Sequence, residues 1–172
     1  MKLTEVTQEK KGTYAAVRFS EKTKNQIKKY ISDNNIPNAI NPSKLHTTLL
    51  YSRKHIPGYT PVGKYDKSMI GKPGKFDVWK SSNEDGSSTN CLVVEYKCKD
   101  LEDRHNELMK KYNATYDFPT YKTHITLSYD IGDMDIKDLS DFSDTVPEIE
   151  IISEYGEDLD LSWAKNKGVD KK

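Results

Sequence analysis

The sequence predicts an α+β fold built as two similar lobes, and two observations carry the prediction. Helical and strand-like stretches are mixed without regular alternation, which fits α+β better than a doubly wound sheet. One phrase is written twice, KLHTTLLY at 44–51 and KTHITLSY at 122–129, each time after a helical stretch and a short connection. Two copies imply paired lobes, since a solenoid needs at least about three repeats. The 172 residues suit a single domain over 1–164, with KNKGVDKK at 165–172 read as a flexible tail.

Taken in order, TYAAVRF at 13–19 reads as a first strand. Ser20 can cap a helix over 20–35, with Ile27, Tyr30 and Ile31 on its apolar face. Pro37 and Pro42 break the chain ahead of the first phrase, which is strand-like over 45–51, and 53–64 is a Pro/Gly loop. Residues 65–98 hold two or three strands, among them KFDVWKS and TNCLVVEYKC, joined as a hairpin across NEDGSS. The stretch 100–113 is a second amphipathic helix capped by Asp100, with Leu101, Leu108, Met109 and Tyr112 inward. The second phrase follows Pro119, 135–142 forms a short helix, and EIEIISEY and DLDLSW are two late strands.

In a strand, residues two apart point the same way. Lys44, His46 and Thr48 then share one face, as do Lys122, His124 and Thr126. Leu45, Thr47, Leu49 and Tyr51, with Thr123, Ile125, Leu127 and Tyr129, form mostly apolar faces turned to the core. If the lobes face each other, both His/Thr pairs converge on one cleft. Such a cleft suits phosphodiester cleavage. A neutral imidazole can take a proton from an attacking hydroxyl while a protonated one supplies the leaving oxygen. Two threonine hydroxyls can donate to the phosphate oxygens where charge develops. Lone His-x-Thr pairs arise by composition, but matching Lys, Leu and Tyr at the same offsets makes coincidence a poor account. His55 and His105 lack such a context and read as solvated bystanders.

Composition excludes several other classes. Lys+Arg and Asp+Glu are 27 each, so there is no basic excess to track a long nucleic acid. Nothing resembles a Cys-x-x-Cys or His-x-x-x-His zinc site, and the expectation is no metal and no cofactor. Cys91 and Cys98 are an odd number of residues apart in one strand-like run, so they point to opposite faces; this argues for free thiols and a reducing cytoplasm. No apolar run is long enough to span a membrane, and no signal-peptide pattern is present.

Paired His-x-Thr motifs on strands of two lobes resemble the signature of the 2H phosphoesterase superfamily. Within it the chain is most similar to the bacteriophage anti-CBASS phosphodiesterases, which destroy the cyclic oligonucleotides that activate a bacterial abortive-infection defence. The resemblance rests on the opening MKLTEVTQEKKGTYAAVRFS, the KLHTTLLYS and YKTHITLSYD segments and the tryptophan-bearing C-terminal part. It implies a two-lobed 2H fold, with antiparallel sheets facing a central cleft and helices on the flanks. It implies a metal-independent, monomeric enzyme of the host cytoplasm, cleaving 3′–5′ bonds of cyclic di- and trinucleotides. His46 and His124 would be the acid/base pair, their order left open, and Thr48 and Thr126 the phosphate donors. The neighbouring ribose 2′-OH would be the nucleophile. For the bases, the resemblance favours Tyr14, Trp79 and Trp163 as a stacking platform, with Glu157 accepting from base amino groups. Thr120, of the same strand parity as His124, would extend the polar face. Two alternatives remain: a 2′,3′-cyclic phosphodiesterase acting on RNA ends, and a sponge that binds cyclic nucleotides without turnover.

Overall fold

The computed structural model describes residues 11–83, 85–116 and 120–160. Trp163 and the expected tail at 165–172 lie outside the described residues. The fold is α+β: one six-stranded antiparallel sheet with helices packed on it. The strands are β1 Lys11–Phe19, β2 Thr47–Ser52, β3 Gly63–Ser82, β4 Ser88–Lys97, β5 His124–Ser128 and β6 Ile149–Asp160. The helices are α1 Glu21–Asp33, α2 Lys99–Tyr112 and the single turn α3 Phe142–Thr145. The sheet order is β2-β1-β6-β3-β4-β5, so the two copies of the repeated phrase occupy its two ends.

Most elements form where their side chains require. Ser20 caps α1 by accepting from the Thr23 amide, and Ile27 and Tyr30 are buried as the 3.6-residue period demands. The β3–β4 hairpin pairs Ser82 with Ser88 around the expected turn. Core residues alternate along β1, where Ala15, Val17 and Phe19 pack inward.

Four expectations need correction. The two or three strands expected over 65–98 are two, and the first starts inside the expected 53–64 loop. It runs from Gly63 to Ser82 because β3 changes partner instead of stopping: Gly63 to Gly71 pair with β6, and Lys72 onward pair with β4. Pro73 sits at this changeover, opposite Tyr96 and at the edge of a register slip between Pro73 and Phe76. The two late strands are likewise one, β6, running through Gly156. A Cβ at Gly156 would lie 3.0 Å from the Tyr59 ring, so this glycine marks close packing and not a break. The cap of α2 is Cys98, with no side-chain bond, and Asp100 sits in the first turn, where a carboxylate favours the helix dipole. The stretch 135–142 is not one helix: Asp135 caps a 3₁₀ turn over Ile136–Asp138, and Asp141 separately caps α3.

A buried ionic node fastens α2 to the sheet. Glu154 on β6 is 2% exposed and receives Tyr59 Oη at 2.8 Å, Tyr65 Oη at 2.7 Å and the Val62 amide at 3.1 Å. Arg104 of α2 grips the same carboxylate with Nε at 3.0 Å and Nη2 at 2.8 Å. Burial pushes the Glu154 carboxyl up, but the bonds from Arg104, Tyr65, Tyr59 and Val62 outweigh it and hold it below the usual value of 4.5. Arg104→Leu, which strands this carboxylate, should cost about 3–5 kcal/mol in urea denaturation. The unfolded chain takes up this proton first as pH falls. The stabilisation is therefore full above 4.5 and is lost progressively below it, a loss that Glu154→Gln should lack.

Candidate active site

The two copies share one backbone irregularity, and it decides which side chains meet. Ala15 pairs with Leu50 and Ala16 with Thr48, so Leu49 is an extra residue in β2. Leu92 pairs with Ser128 and Val93 with Thr126, so Leu127 is an extra residue at the equivalent place in β5. Leu49 and Leu50 are both buried, as are Leu127 and Ser128. A bulge reverses the parity of everything after it. Tyr51 and Tyr129, expected on the core face, therefore leave it. Tyr51 pairs with Tyr14, the rings 6.2 Å apart edge to face, and Tyr129 stands 49% exposed.

Both histidines are held alike. His46 Nδ1 lies 2.9 Å from the Lys44 carbonyl, and His124 Nδ1 lies 2.9 Å from the Lys122 carbonyl. A carbonyl only accepts, so each Nδ1 carries hydrogen and Nε2 is left for exchange chemistry. The pKa of His124 is lowered by burial, with His46 pressing the same way, against the Lys122 carbonyl and Glu95, which favour the charged ring. Each motif threonine faces a closed floor. Thr48 lies opposite Ala16 and Thr126 opposite Val93, and Ala16 and Val93 are 0% and 1% exposed.

The sheet's ends are tied across the gap by reciprocal hydrogen bonds. Thr47 Oγ1 donates to the His124 carbonyl at 2.9 Å and accepts from Tyr96 Oη at 2.7 Å. In return, Tyr121 Oη donates to the Thr48 carbonyl at 2.6 Å. The first copy thus fixes the backbone of the second at His124, and Tyr121, just before the second copy, fixes the first at Thr48. Behind Tyr121, ring-stacked at 3.9 Å, lies His105, whose Nδ1 donates to the bulge carbonyl of Leu49 at 2.7 Å. His105 is not the solvated bystander expected: it is 4% exposed, and burial lowers its pKa. His55 is half-buried, with its Nδ1 enclosed and without a hydrogen-bond partner in the structure.

The other sequence candidates divide. Tyr14 Oη lies 3.1 Å from Thr48 Oγ1, and burial raises its pKa, keeping the phenol protonated. Trp79 stands 4.4 Å from the His124 ring, its Nε1 bonded to Asp77 at 2.9 Å. Glu157 is exposed opposite Tyr14, on the same face. Thr120 is exposed and outside β5, so the parity that linked it to His124 does not apply. Sequence reasoning passed over Thr47, Tyr96, Tyr121, Arg18 and Tyr155. The last pair forms a cation–π contact at 4.1 Å on the Tyr14 face. Among the described residues, no three His, Cys, Asp or Glu side chains converge to hold a metal ion.

A family model described as Anti-CBASS protein Acb1 matches residues 11–166. The chain belongs to the Anti-CBASS protein Acb1 family. It is similar to the Acb1 protein of Acinetobacter phage Ac42, 38% identical over 163 residues that cover 95% of this chain and 99% of that one. Acb1 of Vibrio phage KVP40 is 33% identical, with 92% and 94% covered, and Acb1 of Enterobacteria phage T4 is 33% identical, with 89% and 91% covered. The Acb1 match begins where β1 begins and takes in both phrases and all six strands. It bears out the anti-CBASS resemblance read from the sequence. No described helix is long and apolar enough to cross a membrane.

The cross-tie is testable by stability alone. Thr47→Val keeps the branched shape but leaves Tyr96 Oη and the His124 carbonyl unsatisfied, at a cost of about 1–3 kcal/mol. Thr47→Ser keeps the hydroxyl and should lose about 1 kcal/mol or less in the same urea titration. Equal losses would show that packing, not the hydrogen bond, holds the ends together.

Proposed function

We propose that the cleft between β2 and β5 is a 2H-type active site that cleaves 3′–5′ bonds of cyclic di- and trinucleotide signals, acting from a two-lobed fold. The observation that carries the reading is the doubled arrangement: two His-x-Thr segments with the same bulge and the same Nδ1 bond, brought together by the ends of one sheet. A structural repeat needs its apolar face twice, but it has no need of two imidazoles with matched tautomers. The curated phage relatives are named anti-CBASS proteins, and a defence triggered by cyclic oligonucleotides is disarmed by destroying them. The chain then acts as a monomer in the host cytoplasm, and the 2H chemistry calls for no cofactor.

In this reading the two histidines divide the labour. His124, biased toward the neutral form by burial, takes the 2′-OH proton on Nε2. That oxygen attacks the adjacent phosphorus, an intramolecular step whose favourable geometry is worth several kcal/mol. The 5′ oxygen leaves with the proton from His46 Nε2, giving a 2′,3′-cyclic phosphate. Water then opens this ring with the roles reversed and leaves a linear product ending in a 3′-phosphate. Thr48 and Thr126 donate to the non-bridging oxygens. Tyr14, as a protonated phenol, donates to Thr48 Oγ1 and leaves the threonine's own proton for phosphate.

The deciding experiment is incubation with cyclic dinucleotides, cyclic trinucleotides and RNA 2′,3′-cyclic ends in EDTA, with products identified by mass. Linear 3′-phosphates from the cyclic oligonucleotides are expected. Turnover of RNA ends alone moves the activity to the end-processing alternative, and tight binding with no product makes the protein a sponge. His46→Ala and His124→Ala should each cut kcat by about 10²–10⁴-fold, with the double variant little worse than either. Because the base, His124, titrates below its usual 6.5, the acid limb of the kcat/KM profile should fall only below that pH. A substrate with 2′-deoxyribose at the scissile link should bind yet resist cleavage; its rapid hydrolysis would make water the nucleophile.

A further inference from the structure

Strand register lays out the β2–β1–β6 side of the cleft in rows. Tyr51, Tyr14 and Glu157 make one row, and Thr48, Ala16 and Tyr155 the next. Arg18 follows on the same face, one step past the Val17–Thr47 pair and so level with His46. Its neighbour on β6 is Ser153, whose own partner on β3 is Lys64. The Arg18 side chain is exposed, with its guanidinium 4.1 Å above the Tyr155 ring. Among the described residues it has no carboxylate partner. Stacking occupies the face of a guanidinium and leaves its in-plane N–H donors open, the disposition that suits phosphate.

A cyclic dinucleotide carries two phosphodiesters, and the His/Thr pairs accommodate one. The second stays an anion and needs a partner as it leaves water. The chain has no net positive charge to supply a diffuse one. The β5 side offers none at the matching place: as Arg18 stands level with His46, so Glu95 pairs with His124. A second phosphate is therefore repelled from one side and received on the other.

We infer that Arg18, seated on Tyr155 with Ser153 and Lys64 beside it, is an anion subsite for the non-scissile phosphate of a cyclic oligonucleotide. This deepens the proposed phosphodiesterase reading and rests on it for the scissile centre. The subsite makes the cyclic ring bind in one orientation and separates substrates with two phosphates from those with one.

The test compares wild type with Arg18→Gln on two probes with the same scissile linkage: 3′,3′-cyclic diadenylate, and the linear dinucleoside monophosphate adenylyl-3′,5′-adenosine. Gln should lower kcat/KM for the cyclic probe by about 10- to 100-fold, mainly through KM, and leave the linear probe within about twofold. Arg18→Lys, which keeps charge without the planar fork, should fall between. Equal losses on both probes, or no loss on the cyclic one, overturn the subsite. Calorimetric titration of both proteins with the same probes reads the subsite without turnover. If wild type cleaves neither probe, the catalytic reading fails. A binding loss in Arg18→Gln confined to the cyclic probe still supports the subsite, and unchanged affinity, or no binding by wild type, overturns it.

Discussion

The candidate site depends on the meeting of the two end strands of one sheet. β2 and β5 are the edge strands of a six-stranded sheet, and an edge is a row of unsatisfied backbone groups. Here side chains of each end satisfy part of the other, and the Ile40 amide serves the Leu127 carbonyl of β5. Thr47 reaches the His124 carbonyl, and Tyr121 reaches the Thr48 carbonyl. These bonds fix the backbone at His124 and Thr48 with short, rigid side chains. Behind them, β3 belongs to both halves of the sheet, and moving the ends apart would require bending it. Helix α2 closes the frame with consecutive residues: Arg104 grips Glu154 on β6, and His105 holds the Leu49 carbonyl on β2.

Within this repeated frame the two halves differ where charge is concerned. The tautomers, bulges and closed floors match, but the neighbours do not. His124 lies beneath Trp79 and beside Glu95, whereas His46 is level with Arg18 and has Tyr14 at 6.5 Å. A symmetric site would treat the two bridges of a cyclic dinucleotide alike. An asymmetric one can assign acid and base, and can hold one phosphate while it cuts the other.

Much of this was legible from residues alone. The α+β class, the capped first helix and the hairpin follow from period and turn chemistry. The bulges were not legible, because an extra residue is defined by the partner strand. Leu49–Leu50 and Leu127–Ser128 look like ordinary strand sequence until Ala15–Ala16 and Leu92–Val93 are counted against them. The continuity of β3 was hidden for a related reason. Gly71, Pro73 and Gly74 mark the place where one partner is exchanged for another, which only the partner strands reveal. His105 is different, since its signal was present: it stands four residues after Leu101 and three before Leu108, on the buried helical stripe.

The glycines of β3 show how such punctuation serves the site. A Cβ on Gly71 would lie 2.6 Å from the Tyr96 ring, in a part of the core where Tyr96 is 3% exposed and has no room to retreat. Tyr96 is the phenol that donates to Thr47, and Thr47 is the hydroxyl that donates to the His124 carbonyl. The absence of a side chain at Gly71 thus leaves room for the Tyr96 ring. That ring fixes a threonine on the opposite edge, and the threonine fixes a histidine on the other copy of the motif. Residues that look like interruptions in the sequence are, in the fold, the first link of the chain that positions His124.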